Sequence, residues 1–184
     1  MRECTGISRQ AQAAFDDGSP FAEFVGRSRL NVRLMQQNYR DTVVPETFVS
    51  RLCQAADKAG GLRVLVWAED WCPDTAENLP VVARMFSEVP GAEVRVLRKD
   101  QHSELARALG GAGSSFRIPL VVVFDGSFCR HAVWVERPRA AHEVMAAEGK
   151  ERGRRTLRKL YRSGDMRLEV MKEITATMEE QGFF

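Results

Sequence analysis

The sequence predicts an α/β domain: a central mixed sheet of about four strands flanked by helices, with helical extensions at both ends. Three observations carry this reading. From residue 46 onward, short runs of β-branched and aromatic residues alternate with segments of helical apolar spacing. Asp125-Gly126, set between two apolar runs, is a hairpin signal. Residues 1–45 and 148–184 carry helical spacing alone, which leaves 46–147 as the sheet-bearing unit and its two flanks as helical additions.

Taken in order, the first 40 residues contain a turn cluster over 15–20. Phe21, Phe24 and Val25, then Leu30, Leu34 and Met35, follow at helical spacing, which predicts two short helices packed on a larger body. Pro45 opens the next helix, with Phe48, Val49, Leu52, Cys53 and Ala56 on one face and Gly60-Gly61 at its end. Residues 62–68 read as a strand, 75–87 as a helix marked by Leu79, Val82 and Phe86, and 93–98 as a second strand. Asp100 is the expected cap of a helix containing Leu105, Ala106 and Leu109, stopped by the glycines at 110–113. Residues 120–124 form an apolar strand and 128–135 its hairpin partner. Pro138 then opens a helix through Met145. This order predicts two parallel crossovers plus an antiparallel pair.

The tail is helical. Residues 150–162 carry seven Lys or Arg and one acid, read as a solvated face in preference to a nucleic-acid patch, because the run lacks interleaved aromatics beyond Tyr161. Leu168, Met171, Ile174 and Met178 form a stripe that reads as a docking face.

Composition narrows the class. The 184 residues are 44% hydrophobic and 28% charged, an ordinary globular balance, and a net charge of +2 points away from a nucleic-acid or membrane partner. The polar start lacks the apolar stretch of a secretory signal, and no segment is apolar enough to span a bilayer. The expected compartment is the cytoplasm. Cys4, Cys53, Cys72 and Cys129 form no C-x-x-C pair and share no chelating spacing with His102, His131 or His142. Neither a disulfide framework nor a metal is expected.

The chemistry concentrates at Trp71-Cys72-Pro73-Asp74-Thr75. A strand runs out, and Cys72 lands just before a helix in whose first turn Pro73 is tolerated. Unpaired N–H groups at a helix start favour a thiolate there. Asp70 and Asp74 carry negative charge beside the sulfur and work against it.

This segment resembles the Trp-Cys-x-x-Cys motif of thioredoxins. Pro80 stands where that family's active-site helix carries its kinking proline, Ile118-Pro119 stands where the cis-proline loop falls, and the element order matches over about residues 46–147. The chain is similar to a bacterial thioredoxin-like branch whose motif reads Trp-Cys-x-Asp without the second cysteine. A Trp-x-x-Arg-Pro segment follows that branch's last strand, here Trp134 to Pro138. The resemblance implies a thioredoxin fold and a groove of Trp71, Pro73, Asp74, Ile118 and Pro119 around a nucleophilic Cys72.

Two departures matter. Thr75 occupies the resolving position and cannot attack a mixed disulfide; its hydroxyl is expected at most to hydrogen-bond the Cys72 thiolate. The strand before the motif has Leu65 and Val66 in place of the family's buried acid. Cys129 lies past the hairpin turn, about five residues or ~15 Å from the active-site end, beyond the roughly 7 Å that a disulfide allows. Cys4 stays open as a partner. The returning strand brings Trp134 and Arg137 toward Cys72. Trp134 either lines the groove or fills the core, and Arg137 either binds a carboxylate or pairs with a surface acid.

Two functions compete. In one, Cys72 performs monothiol exchange on a thiol or disulfide substrate, with an external thiol such as glutathione as co-substrate and no other cofactor. In the other, the groove holds a peptide or protein partner without catalysis. The oligomeric state is left open by the sequence.

Overall fold

The computed structural model describes residues 6–110 and 115–184. Cys4 and most of the glycine run at 110–113 lie outside the described residues.

Three helices precede the sheet unit: α1 (Gly6–Asp17), α2 (Phe21–Arg27) and α3 (Val32–Asp41). The expected pair at the N-terminus is therefore a trio. α1 escapes a hydropathy reading because its buried stripe is Ser8, Ala11, Ala14 and Phe15, mostly residues with little apolar surface. Its end is tightly placed: a Cβ on Gly18 would sit 2.7 Å from the Arg95 Cβ, so only glycine lets the chain pass β2 (Ala92–Leu97) this closely.

Then follow α4 (Glu46–Ala59), β1 (Leu62–Trp67) and α5 (Pro73–Ser87); after β2 come α6 (Ser103–Leu109), β3 (Leu120–Asp125) and β4 (His131–Val135). The sheet order is β2-β1-β3-β4. Only β1 and β2 are parallel, whereas β3 runs antiparallel to both β1 and β4. This corrects the expectation of two parallel crossovers. The connection after β2 stays at the end where β1 finishes, so Leu120 pairs with Trp67 and β3 must run back.

Strand alternation divides the core into two faces. Val64, Val66, Val121, Val123, Ala132 and Trp134 pack with α3, α4, α5 and the last helix. Leu65, Trp67, Leu97, Leu120, Val122 and Phe124 pack with α1, α6 and Cys72.

Two local expectations shift. α6 starts at Ser103 rather than after Asp100, because the Trp67 indole N–H donates to the Gln101 carbonyl at 2.8 Å and the Gln101 side chain accepts from the Arg98 N–H at 2.7 Å, which holds that turn out of the helix. The hairpin turn spans 126–130 rather than two residues. The Asp125 carboxylate accepts from the N–H groups of Ser127, Cys129 and Arg130, and Gly126 packs so close to the Gly60 carbonyl that no side chain fits. Phe128 and Cys129 are thus turn residues, not strand residues.

The C-terminal addition is α7 (Arg139–Ser163), broken at Gly149 (φ 72°, ψ 175°), and α8 (Asp165–Glu180). Gly164 turns the chain between them at φ 92°, where glycine is favoured. Met171, Ile174 and Met178 of the predicted docking stripe, joined by Val170, are buried against the sheet and α5, and Leu168 is half-buried, so most of the stripe packs on the chain's own body. Among the described residues, no helix is long and apolar enough to cross a membrane.

Candidate functional site

Cys72 is the N-cap of α5. Its carbonyl accepts the first helical hydrogen bond, from Ala76 N–H at 3.1 Å. Pro73 has no N–H to satisfy, and the next two first-turn N–H groups lack intrahelical acceptors. The Cys72 thiol is buried at 6% exposure and donates to the Ile118 carbonyl at 3.6 Å. The Ile118-Pro119 peptide bond is cis, and both residues are buried beneath the sulfur's end of the sheet. Pro73 is exposed above them.

Trp71 projects outward at 56% exposure, the largest exposed aromatic among the described residues. Beside it lies a cavity of about 350 Å³ bordered by Glu69, Lys99, Asp100, Arg107 and Phe116. Lys99 Nζ stands 5.6 Å over the Phe116 ring. These two cations were missed from sequence. They belong to the β2–α6 turn and to α6 itself, and only the folding of that connection against the motif loop brings them there.

The acids flanking the thiol are each engaged elsewhere. Asp70 accepts from the Arg29 N–H at 2.8 Å and the Leu30 N–H at 3.3 Å, with Arg98 at 3.6 Å. Burial acts to raise its pKa, but these N–H groups and Arg98 outweigh it and hold the carboxyl below its ordinary value. Asn31 adds a hydrogen bond to the Asp70 carbonyl at 2.8 Å, so the α2–α3 connection clamps the motif loop. Asp74 pairs with Arg137 at 2.6 Å. Burial, reinforced by Glu136, raises the Asp74 pKa despite that arginine.

The two undecided residues now have places. Arg137 lies at the site, where its Nη2 donates to Asp74 and to Glu136 at 3.3 Å while its Nε is buried without a partner among the described residues. Trp134 is buried on the sheet face opposite Cys72 and donates from Nε1 to Glu173 at 2.8 Å, so it fills the core rather than the groove. Thr75 is fully buried and its Oγ1 has no hydrogen-bond partner among the described residues, which corrects the expected bond to Cys72. Cys53, Cys72 and Cys129 form no disulfide with one another, and Cys129 sits in the hairpin turn, its sulfur accepting from the Ser8 hydroxyl at 3.9 Å and donating to the Ser127 carbonyl at 3.5 Å.

Behind α5 lies a polar network. Asn78 donates to the Glu136 carbonyl at 3.0 Å and accepts from the buried Tyr161 hydroxyl at 3.0 Å. Burial pushes the Tyr161 phenol well above its ordinary pKa. Glu77, raised mainly by burial, accepts from Asn38 at 2.8 Å. α7 and α3 are thereby tied to the first two turns of the cysteine-bearing helix.

The family model described as thioredoxin matches residues 18–178, a span that includes most of both helical additions. The chain belongs to the thioredoxin family. Within the solved structures, this thioredoxin-family chain is similar to a protein of unknown function from Pseudomonas aeruginosa, at 27% identity and a TM-score of 0.64, over 91% of this chain and 95% of that one. It is also similar to an HIV epitope-scaffold, at 26% identity and a TM-score of 0.66, over 92% of this chain and 97% of that one. No curated protein matches it.

Proposed function

We propose that this thioredoxin-family protein performs monothiol exchange through Cys72, with glutathione as the resolving thiol in the reducing cytoplasm. The observation that carries the reading is the seat of Cys72 at the α5 N-cap, against the Ile118 carbonyl and next to the exposed Trp71.

The chemistry runs in two steps. The Cys72 thiolate attacks the glutathione sulfur of a protein–glutathione mixed disulfide. That S–S bond breaks, the protein thiolate leaves and takes a proton from water, and a Cys72–glutathione disulfide remains. A second glutathione thiolate then attacks the glutathionyl sulfur, releasing glutathione disulfide and regenerating Cys72. Glutathione supplies the two electrons, so no resolving cysteine at position 75 is needed. Lys99 and Arg107, bordering the cavity by Trp71, are the cations in reach of a glutathione carboxylate. Arg137, already paired, is not assigned that task.

The low exposure of Cys72 favours a second reading, a non-catalytic groove that holds an extended peptide across Trp71 and the Ile118-Pro119 loop. A deglutathionylation assay separates the two. Under exchange, Cys72→Ala abolishes turnover of a glutathionylated peptide, and Cys53→Ala and Cys129→Ala do not. Wild-type protein without turnover at any glutathione concentration, but binding the peptide as well as Cys72→Ala does, supports the groove instead.

A further inference from the structure

The second half of α7 carries a charge distribution that the net charge conceals. Residues 150–163 contain seven bases and one acid, a local charge of +6. The remainder of the chain, with 20 bases and 24 acids, is at −4. All seven cations, Lys150, Arg152, Arg154, Arg155, Arg158, Lys159 and Arg162, are exposed. At 100° per residue the last six fall within about 160° of the helix circumference, away from the sector of about 80° that buries Gly153, Leu157 and Tyr161. Only Arg152 has an ion-pair partner among the described residues, Glu148 at 3.7 Å. Glu151 shares the face without closing a pair.

This arrangement breaks two local rules of helix stability. The break at Gly149 makes Lys150 and Arg152 the first turn of a new helix, where cations oppose the helix dipole. Arg154 and Arg158, Arg155 and Lys159, and Arg158 and Arg162 are like charges at i,i+4, which repel. Helical segments elsewhere place acids in those positions, as with Arg27–Glu23, Arg84–Glu88 and, before the break at Gly149, Arg139–Glu143. Unrelieved repulsion on one face, retained where its relief is a single substitution away, points to an external counter-charge.

We infer that this face binds the phosphodiester backbone of a nucleic acid. The six cations advance about 15 Å along the axis, one per ~3 Å, close to the ~3.4 Å spacing of charges along one strand of a duplex. Five of the seven are arginine, whose planar fork suits phosphate oxygens. A bilayer is a poor match, because the segment's apolar residues face inward and leave nothing to insert. An acidic protein is a poor match too, since the face offers no exposed aromatic or apolar anchor. Because the contact is with the backbone, it does not require the stacking aromatics of single-strand binders.

The test is fluorescence anisotropy of the full chain with labelled DNA and RNA duplexes of about 20 base pairs, read between about 50 and 200 mM salt. The expected result is binding that weakens about 100-fold over that range, corresponding to roughly four neutralised phosphates. Arg154→Glu with Arg155→Glu and Arg158→Glu abolishes it, and the milder Arg154→Gln with Arg158→Gln weakens it about tenfold while the circular dichroism spectrum is unchanged. Duplex also raises the Tm of the wild type, and raises that of the glutamine variant less at the same concentration. Binding of DNA, RNA or both sustains the inference and names the source. No binding at the lowest salt, equal binding by the glutamine variant, or displacement by poly-glutamate at matched charge overturns it.

Discussion

Arg137 closes on Asp74 at 2.6 Å, two residues along the chain from Cys72. The pair neutralises a partly buried carboxylate at the start of the cysteine-bearing helix and joins the segment after β4 to that helix.

Removing the arginine leaves that carboxylate without its counter-charge. Arg137→Gln is expected to lower stability by about 2 kcal/mol at neutral pH. Urea unfolding measures this. The loss should shrink as pH falls, because Asp74 then takes up a proton more readily in the folded variant. A loss that is the same at all pH values would show that Arg137 acts through packing alone.

Asp74 and Glu77 both sit above their ordinary pKa values, chiefly through burial. For such groups the folded state binds protons more readily than the unfolded one, so they destabilise the fold at neutral pH. Stability therefore rises as pH drops from neutral through their folded pKa values toward the ordinary carboxylate range. Asp70 is shifted the other way, and its contribution disappears as pH falls below its ordinary value of 3.8. Glu77→Gln keeps an oxygen for Asn38 and should flatten the rise between neutral pH and the ordinary glutamate value of 4.5. Denaturation midpoints across pH for the two proteins check this.

The Thr75 hydroxyl is buried without a partner. Thr75→Val has nearly the same shape and removes the unsatisfied group, so a gain of about 1 kcal/mol is expected. Destabilisation on thermal unfolding would indicate a water or side chain that satisfies Oγ1.

The Tyr161 hydroxyl donates to Asn78 in the interior. Tyr161→Phe should cost about 1 kcal/mol by leaving the Asn78 oxygen unsatisfied. Hydrogen exchange should show the loss in both α7 and the first turns of α5, since the bond joins them.

Trp71 and Lys99 test the groove. Trp71 is more than half exposed, so Trp71→Ala is expected to change stability by no more than about 0.5 kcal/mol while lowering kcat/KM in deglutathionylation about tenfold. Lys99→Ala should raise KM for the glutathionylated peptide with kcat little changed, the pattern of lost ground-state binding.

Much of this molecule is legible in the chain. The apolar runs at 62–67 and 120–125 and the helical stripe of α5 are strong periodic signals, because a strand or helix that buries a face must repeat apolar residues at its own period. The location of Cys72 at a helix start follows from the residues around it, since a strand exit and a first-turn proline specify that boundary locally. α1 was invisible because alanine and serine bury little apolar area. The β3 direction was misread because it depends on where a 22-residue connection ends, which no local period encodes.

By itself, then, the sequence determined most of the elements, the family resemblance and the position of the thiol, all consequences of short-range spacing and backbone chemistry. Tertiary structure alone decided the partners. It sent Asp70 to Arg29 and Leu30, Asp74 to Arg137 and Trp134 to Glu173, brought Lys99 and Arg107 beside Trp71, and turned the cations of α7 outward together. The physical reason is that ion pairs and hydrogen bonds form between groups that are close in space. Most of these groups lie tens of residues apart in the chain, and only the packing of the elements brings them within reach.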